Sequence, residues 1–260
     1  MSPGATPPRP PRFPPTNSKA LFLEQLVIEY DYVFCLTVTR NRSQIHDNAT
    51  HASFAILNEY KPIRLQVGRT TPFALRIVDS QQVFAGQGIL PVEAVRLRDA
   101  GASAPEIRSR LEFLAERSYA YMVPRDLAYL RARIKHRGDR SVSLLAALIG
   151  SALDIKPVLY CHRGDTGPVG KIRGFEPAAE KLFAFAVERV RAGLLTPTLC
   201  LSYGGELEQM RALPGYAALV AACEEHHVER FETVMSLTGM VNVGSGSLTL
   251  GFAAPPHAFA

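Results

Sequence analysis

Two short segments of the sequence could bind an anion. Residues 39–43 (Thr-Arg-Asn-Arg-Ser) lie between an apolar strand and a predicted helix, so hydroxyls and free backbone N–H groups would face one point. Residues 244–247 (Gly-Ser-Gly-Ser) follow Asn242 and precede an apolar strand, where they could cradle a carboxylate or a phosphate. Both segments also have structural explanations. Ser43 could be an ordinary helix cap beside solvated arginines, and the glycine-serine segment could be a plain hairpin turn.

Patterns that would indicate catalysis or a cofactor are missing from the sequence. Residues 86–88 (Gly-Gln-Gly) open a predicted helix, but no third glycine completes a dinucleotide-binding motif. No Gly-x-Ser-x-Gly segment indicates a nucleophile elbow. His46 and His51 are five residues apart, and His226 and His227 are adjacent, so neither pair shares a helical face for a metal. We therefore expect a protein that binds a ligand without catalysis, with no metal and no cofactor.

Composition places the chain among globular proteins. Its 260 residues are 47% hydrophobic, which suffices for a packed core. The longest apolar run, residues 144–153, is about half of what a bilayer requires, and the first thirty residues lack the apolar core of a signal peptide. We expect a cytoplasmic protein without stable membrane insertion. The four cysteines are scattered singly and are expected to be buried free thiols: Cys35, Cys161, Cys200 and Cys223.

The formal net charge of +5 is mild, and one dense basic run spans residues 131–140. This run is typical of a solvated helix end, and an acidic protein partner would also fit it. Nucleic acid is the least favoured partner, because no aromatic residues are interleaved for base stacking. We expect no nucleic-acid binding.

The pattern of elements predicts two α/β domains with a cleft between them. Seven prolines in residues 1–15 predict that residues 1–16 form a disordered tail. Residues 17–118 alternate helices with apolar strands at 32–38 and 73–78, which indicates a partial flavodoxin-like parallel sheet with flanking helices. The predicted helices here span 43–60 and 85–100, and Ser103 and Glu106 form a capping box for the next helix.

Residues 119–260 are expected to form an α+β domain with a mainly antiparallel sheet. Its predicted strands are 119–123, 155–160, 169–173, 198–202, 230–235 and 247–252, and its predicted helices are 125–134, 143–152, 177–192 and 215–226. Clefts between domains are a preferred place for small-molecule sites.

Six segments taken in order resemble the DegV family. They are residues 77–80 (Ile-Val-Asp-Ser), 86–88 (Gly-Gln-Gly), 126–130 (Asp-Leu-Ala-Tyr-Leu), 154–157 (Asp-Ile-Lys-Pro), 170–173 (Gly-Lys-Ile-Arg) and 242–247 (Asn-Val-Gly-Ser-Gly-Ser). The resemblance runs from about Asn17 to Phe252. It implies a two-domain, non-catalytic lipid carrier that encloses one long-chain fatty acid between its domains. The best-understood members are binding subunits of bacterial fatty acid kinase, which present the carboxylate to a separate kinase subunit.

The resemblance also implies a set of site residues. By position, the groups that would bind the fatty acid are Thr16, Ser18, Thr39, Ser43, Asn242 and Gly244, and Arg173 would meet the kinase partner. The sequence departs from the family at three places. One hydroxyl of the serine-rich turn is replaced by Arg40, the family's histidine is Asn242, and the opening strand with its Asp-Ser motif has no counterpart before Asn17.

These departures leave two expectations. The first domain is expected to be N-terminally incomplete. The departures also leave open an alternative to the carrier function. In that alternative the chain is a divergent regulatory or interaction protein of the same fold that has lost fatty acid binding.

Overall fold

A computed structural model describes residues 15–137 and 154–259, with backbone alone at 15–17 and 134–137. Residues 1–14 of the tail expected over 1–16, the end of the basic run and the predicted helix at 143–152 lie outside the described residues, and residues 15–16 of that tail belong to the first helix. The first part of the chain comprises α1 (Pro15–Leu21), a π-helical turn (Phe22–Leu26), α2 (Val27–Glu29), β1 (Tyr32–Thr37), α3 (Ile45–Ala55), α4 (Tyr60–Gln66) and β2 (Ala74–Asp79). A 3₁₀ turn (Phe84–Gly88) then leads into α5 (Ile89–Asp99) and α6 (Ala104–Ala115).

The remaining elements build a larger sheet and its covering helices. They are β3 (Ser118–Val123), α7 (Leu127–Arg137), β4 (Ile155–His162), β5 (Asp165–Arg173), α8 (Phe175–Ala192), β6 (Thr198–Tyr203), α9 (Leu207–Arg211), α10 (Tyr216–Glu225), β7 (Glu229–Val234), α11 (Leu237–Val243) and β8 (Leu248–Ala253). No helix in the described ranges is both long enough and apolar enough to span a membrane.

A small parallel sheet is formed by β1 and β2, as the sequence predicted. The register pairs Tyr32 with Ala74 and Thr37 with Asp79. The helix predicted over 43–60 ends earlier than expected, because α3 stops at Ala55 and the chain turns at residues 56–59. A second helix, α4, then begins at Tyr60. Apolar side chains from the helices and strands form a separate small core around Phe22, Val27, Ala49, Ala52, Ile56 and Phe73.

A buried arginine fixes the start of β1. Arg64 on α4 donates to the carbonyls of Val27 at 2.6 Å and Tyr30 at 2.7 Å, at the C-terminal end of α2. Its guanidinium also contacts the carboxylate of Asp31 and donates to the hydroxyl of Thr71 at 2.7 Å. The hydrogen bonds from Thr71 and Arg64 lower the pKa of Asp31. The buried cation is therefore fully hydrogen-bonded where α2 passes into β1.

Six strands form the larger sheet of the described chain, in the order β5-β4-β3-β8-β6-β7. Neighbours pair antiparallel except β6 and β7, which are parallel. The prediction of a partial parallel sheet followed by a mainly antiparallel one is confirmed.

The two faces of this sheet carry side chains of different size. One face presents large residues to α8 and α10: Tyr119, Tyr121, Leu199, Leu201, Leu250 and Phe252. Residues one position along each strand point to the opposite face. Near its centre that face carries small residues, Ala120, Cys200, Ser202, Thr249 and Gly251, whereas Met122, Leu159 and Phe231 are larger side chains of the same face. Small side chains allow other segments to approach closely and leave room for a ligand.

The Gly-Gln-Gly segment packs directly on this small-residue face. A Cβ atom on Gly251 would lie 2.5 Å from the backbone nitrogen of Gly86, and one on Gly88 would lie 2.8 Å from Sγ of Cys200. A Cβ atom on Gly86 would lie 2.8 Å from the Cβ of Ala120. The glycines permit the 3₁₀ turn to contact the strands.

An ion-pair network connects α5 and α6 to the residues that begin β6. Buried Glu93 accepts from Arg96 and Arg110, each at 2.8 Å, and from the hydroxyl of Thr196 at 2.7 Å. Burial alone would raise the pKa of Glu93. The hydrogen bonds from Thr196, Arg110 and Arg96 outweigh it and hold the pKa below the usual value.

Helices α5 and α6 belong to the core of the larger sheet. Ile89 and Leu111 pack in one cluster with Cys200 of β6 and Ala253 of β8, and Leu36 of β1 packs against the same cluster. These helices precede residue 118, where the sequence predicted the end of the first domain. That boundary stays a prediction. The capping box predicted at Ser103 is present at the start of α6.

Replacing Gly251 by alanine should destabilise the protein by about 3 kcal/mol, because the new methyl group would meet backbone atoms of the 3₁₀ turn. The matched control is Gly170→Ala on β5, where the nearest atom is Cε1 of Phe259, at 3.1 Å. Neither glycine has a positive φ, so backbone strain does not separate the two variants. Urea unfolding of both measures the difference. Equal losses of stability would contradict the close contact described for the turn.

Glu93→Gln should lower the free energy of unfolding by about 2 kcal/mol at neutral pH, because two arginines lose their charged partner. A lowered carboxyl pKa contributes stability above the unfolded-state value of about 4.3. That stability is lost as pH falls through the folded-state pKa, so the gap between the variant and the wild type should shrink on acidification. Urea unfolding at decreasing pH measures it. Glu112→Gln, which removes an exposed pair with Arg108, is the control and should change little at any pH.

Candidate functional site

A cavity of about 810 Å³ lies on the small-residue face of the six-stranded sheet. It is bounded by the turn after β1, by the 3₁₀ turn with the start of α5, and by the chain from β7 through α11. Its volume is in the range of about 300–1,000 Å³ that ligand pockets occupy. The space therefore lies where the loops of the small sheet meet the larger one.

One row of paired residues forms the cavity floor. Following the register from β5 to β7, the row is Pro168, Leu159, Met122, Thr249, Ser202 and Thr233, and all of these residues line the cavity. Adjacent strands are about 4.7–4.9 Å apart, so five steps across the sheet span about 24 Å. The floor is thus long, and its axis runs across the strands.

Apolar side chains form most of the walls. Phe84 from the 3₁₀ turn, Val92 from α5 and Leu130 from α7 line the cavity, together with Met235 before α11 and Val243 at its end. Phe84, Leu130, Met235 and Val243 also pack with Met122 and Leu159 of the floor row. This environment excludes water from a ligand and favours an apolar chain.

Arg42 is the one charged side chain among the described residues that line the cavity. It is half-buried, and its guanidinium contacts the hydroxyl of Thr166 on β5. Ser43, next to it, also lines the cavity, and its Oγ accepts from the backbone N–H of Ile45 at 3.2 Å, at the start of α3. The turn therefore brings a cation and a hydroxyl to one part of the cavity wall.

Arg40, which the sequence analysis placed at the position of a lost family hydroxyl, is exposed and outside the cavity lining. The turn hydrogen bond from the N–H of Arg42 to the carbonyl of Thr39 at 3.0 Å shapes this segment. Only the fold shows which arginine lines the cavity, because both lie in the same five-residue turn.

Asn242 lies on α11, a helix that the sequence analysis did not predict, and it lines the cavity. Its Nδ2 donates to the carbonyl of Thr238 at 2.8 Å, within the helix. Its Oδ1 is buried and has no hydrogen-bond partner in the part of the chain that the structure describes. The Gly239 in the helix weakened the helical signal, and the hydroxyl of Ser236 compensates by capping the N–H of Gly239 at 3.1 Å.

Other residues expected at the site lie outside the lining. Thr39 is buried, and its Oγ1 has no hydrogen-bond partner among the described residues. It lies beneath the β4–β5 turn, where a Cβ atom on Gly164 would be 2.7 Å from that oxygen. Ser18 is buried on α1, which packs against α3. The side chain of Thr16 is outside the described residues.

The glycine-serine segment after α11 is held by backbone contacts. Gly246 donates to the carbonyl of Gly204 at 2.8 Å, and Gly204 donates to the carbonyl of Ser247 at 3.0 Å. A Cβ atom on Gly244 would lie 3.1 Å from the ring of Tyr129, and Gly244 has a φ of 91°. The segment forms a structural turn in contact with β6, outside the cavity lining. Arg173 is also outside the lining, exposed at the end of β5.

The described residues contain no group of three potential metal ligands. Burial raises the pKa of the Cys200 thiol, which lines the cavity, to about 12, and that of Cys161 to about 11. Thiols with such pKa values are poor nucleophiles at neutral pH. The cavity, with its apolar lining and Arg42, is suited to binding an apolar molecule with one anionic end.

Comparison with known sequences places the chain in a family. The family model described as "Uncharacterised protein, DegV family" matches residues 5–254. A DegV domain-containing protein of Xanthomonas axonopodis pv. citri is 66% identical over 239 residues, which cover 92% of this chain and 76% of the relative. Protein DegV of Bacillus subtilis is 27% identical over 236 residues, covering 90% of this chain and 75% of the relative.

Solved structures share the fold. DegV from Bacillus subtilis, described as a fatty acid binding protein, matches with a TM-score of 0.67 and 22% identity over 93% of this chain and 77% of that one. A stearic acid-binding protein from Eubacterium ventriosum matches with a TM-score of 0.69 and 18% identity, over 93% of this chain and 76% of that one. The match to the family model and the relative that is 66% identical establish that the chain belongs to the DegV family.

Proposed function

We propose that this protein is a non-catalytic carrier that binds one long-chain fatty acid in the cavity. The observation that carries the proposal is an elongated apolar cavity whose one charged lining residue, among those described, is the cation Arg42. Structures of relatives from Bacillus subtilis and Eubacterium ventriosum are described as fatty acid binding and stearic acid binding, which supports the same ligand class.

The acyl chain supplies most of the binding free energy in this proposal. Burying one methylene contributes about 0.8 kcal/mol, so about fifteen methylenes give a ceiling near 12 kcal/mol before the costs of ordering. The floor row crosses all six strands of the larger sheet, which suits an extended chain lying over the strands. No catalytic group is required for this part of the function.

The carboxylate needs donors once it leaves water, since an unpaired buried charge is strongly unfavourable. Arg42 can form a charge-assisted hydrogen bond to it, and the hydroxyls of Ser43 and Thr166 lie on the same part of the lining. Thr39, Ser18, Thr16 and Gly244 stay predictions as fatty acid ligands. The proposed head-group site is therefore built around Arg42 and Ser43.

Presentation of the carboxylate to a kinase subunit is the second part of the proposal. It rests on the family resemblance and on Arg173, which is exposed at the end of β5 and available to another protein. In this role the carrier encloses the chain while its partner transfers the γ-phosphoryl group of ATP to the carboxylate, which gives an acyl phosphate and ADP.

Arg42→Gln should weaken binding of a long-chain fatty acid about 10- to 100-fold, because the head group loses a charge-assisted hydrogen bond. Titration of delipidated protein with octadecanoic acid measures the dissociation constant. Arg40→Gln is the matched control, since Arg40 belongs to the same turn, is exposed and lies outside the lining. The affinity of this variant for octadecanoic acid should stay at the wild-type value.

Extraction of freshly purified wild-type protein followed by gas chromatography should also recover fatty acid. A wild-type protein that carries no lipid and binds no added fatty acid would refute the carrier and favour the regulatory alternative. Equal weakening by the two glutamine variants would show that general surface charge, rather than Arg42, attracts the carboxylate.

Arg173→Glu should reduce acyl-phosphate formation by the cognate kinase subunit at least about tenfold without changing fatty acid affinity, because charge reversal at an interface acts on association. Lys171→Glu is the matched control, exposed two residues earlier on the same strand. Coupled assays of phosphorylation with purified kinase subunit measure the effect. Unchanged activity of the Arg173 variant would exclude this residue from the interface.

A further inference from the structure

The floor row is buried in its middle and exposed at one end. Met122 and Thr249, on the two central strands β3 and β8, are each 1% exposed. Further along the row, Ser202 on β6 is half-buried and Thr233 on β7 is exposed. The strand β7 is the last in the order of the sheet. Within the part of the chain that the structure describes, the cavity therefore opens to solvent at this edge.

The rim of this opening is rich in hydroxyls. Val234, at the end of β7, lines the cavity and is 53% exposed. Thr233, Ser236 and Thr238 also line it, and all three are exposed. Arg42 is the one charged residue of the described lining, so no carboxylate of the lining lies at the rim. An anionic group placed at the opening would keep its contact with water and avoid the cost of burial.

Arg42 marks the opposite end of the floor. Its guanidinium contacts the hydroxyl of Thr166 on β5, two residues before Pro168, the first member of the row. Alternate residues of a strand share a face, and the five strand spacings from β5 to β7 amount to about 24 Å. A carboxylate on Arg42 therefore lies at the far end of the floor from the opening at β7.

The length of the floor separates chains that reach the opening from chains that end inside. An extended chain advances about 1.2 Å per bond, since the three backbone bonds of one residue span at most about 3.6 Å. An eighteen-carbon chain is thus about 20 Å long and a twelve-carbon chain about 13 Å long. Starting from Arg42, the longer chain ends close to the opening, whereas the shorter one ends near buried Thr249.

We propose that the opening at β7 is a subsite for the far end of the ligand, and that the carrier also binds long-chain α,ω-dicarboxylic acids. The proposal rests on the proposed function, since it extends the ligand class of the same cavity. One carboxylate binds Arg42, and the methylene chain covers the buried middle of the floor. The second carboxylate stays in water beside the hydroxyls of Thr233, Ser236 and Thr238.

The test compares two pairs of acids on delipidated wild-type protein by titration calorimetry. Octadecanedioic acid should bind within about fivefold of octadecanoic acid, because its second carboxylate remains hydrated. Dodecanedioic acid should bind at least about fiftyfold more weakly than dodecanoic acid, because its short chain cannot reach Arg42 and water at the same time.

A variant that fills the opening gives a second test. Thr233→Trp should weaken binding of octadecanedioic acid at least about tenfold more than binding of octadecanoic acid, because the indole occupies the place of the second carboxylate. Val95→Trp is the matched control. Val95 is 47% exposed on α5 and lies outside the lining, so this variant should keep the wild-type ratio of the two affinities.

Three results on wild-type protein would overturn the proposal. Octadecanedioic acid that binds at least about fiftyfold more weakly than octadecanoic acid would show that the far end is closed, although the protein would remain a fatty acid carrier. Equal affinities within both pairs would show that the second carboxylate reaches water somewhere other than β7. Binding of none of the four acids would remove the proposed function together with the subsite. These comparisons require no variant, so a failure of Thr233→Trp to fold does not protect the proposal.

Discussion

The difference in side-chain size between the two faces of the six-stranded sheet is the constraint on which the rest of the structure depends. On one face, large aromatic and aliphatic residues pack against α8 and α10 and bury the main core. On the other face, Ala120 and Gly251 admit the 3₁₀ turn to direct contact with the strands. Beside that turn, the row from Pro168 to Thr233 forms the floor of the cavity. Small residues therefore permit close packing at one place, and the cavity lies beside that place on the same face of the sheet.

Much of the fold could be predicted from the sequence because its signals are local. Apolar runs marked the strands, and the capping box at Ser103 marked the start of α6. The break between α3 and α4 and the short helix α11 were missed. Gly239 lies within α11 and lowers the helix propensity of that segment. No proline or glycine separates α3 from α4, so the sequence there is also compatible with one continuous helix. Tertiary packing decides such positions, because propensity differences are smaller than the free energy of burial.

The candidate site was less predictable because it depends on strand register. Anion binding by the turn at 39–43 stays a prediction, and Ser43 of that turn does line the cavity. Arg40 stands at the position of the lost family hydroxyl, whereas Arg42 lines the cavity, a difference of two residues that only the orientation of the turn determines. The floor row unites residues as distant as Met122 and Thr233, and their proximity requires the pairing of β3 with β8 and of β6 with both β8 and β7. No local spacing encodes that arrangement.

The position of Arg42 links the ligand site to the contact between the two sheets. In the described chain, β1 and β2 share no strand pairing with the larger sheet, so the loops that follow them make part of the connection. The tip of the β4–β5 hairpin is held by the bond from the N–H of Gly164 to the carbonyl of Gln81 at 2.8 Å and by the contact of Arg42 with Thr166. In the proposed carrier, the carboxylate would use the same guanidinium that contacts the hairpin. Occupancy of the cavity and attachment of the hairpin would then be linked through one side chain, and each would affect the free energy of the other by the same amount.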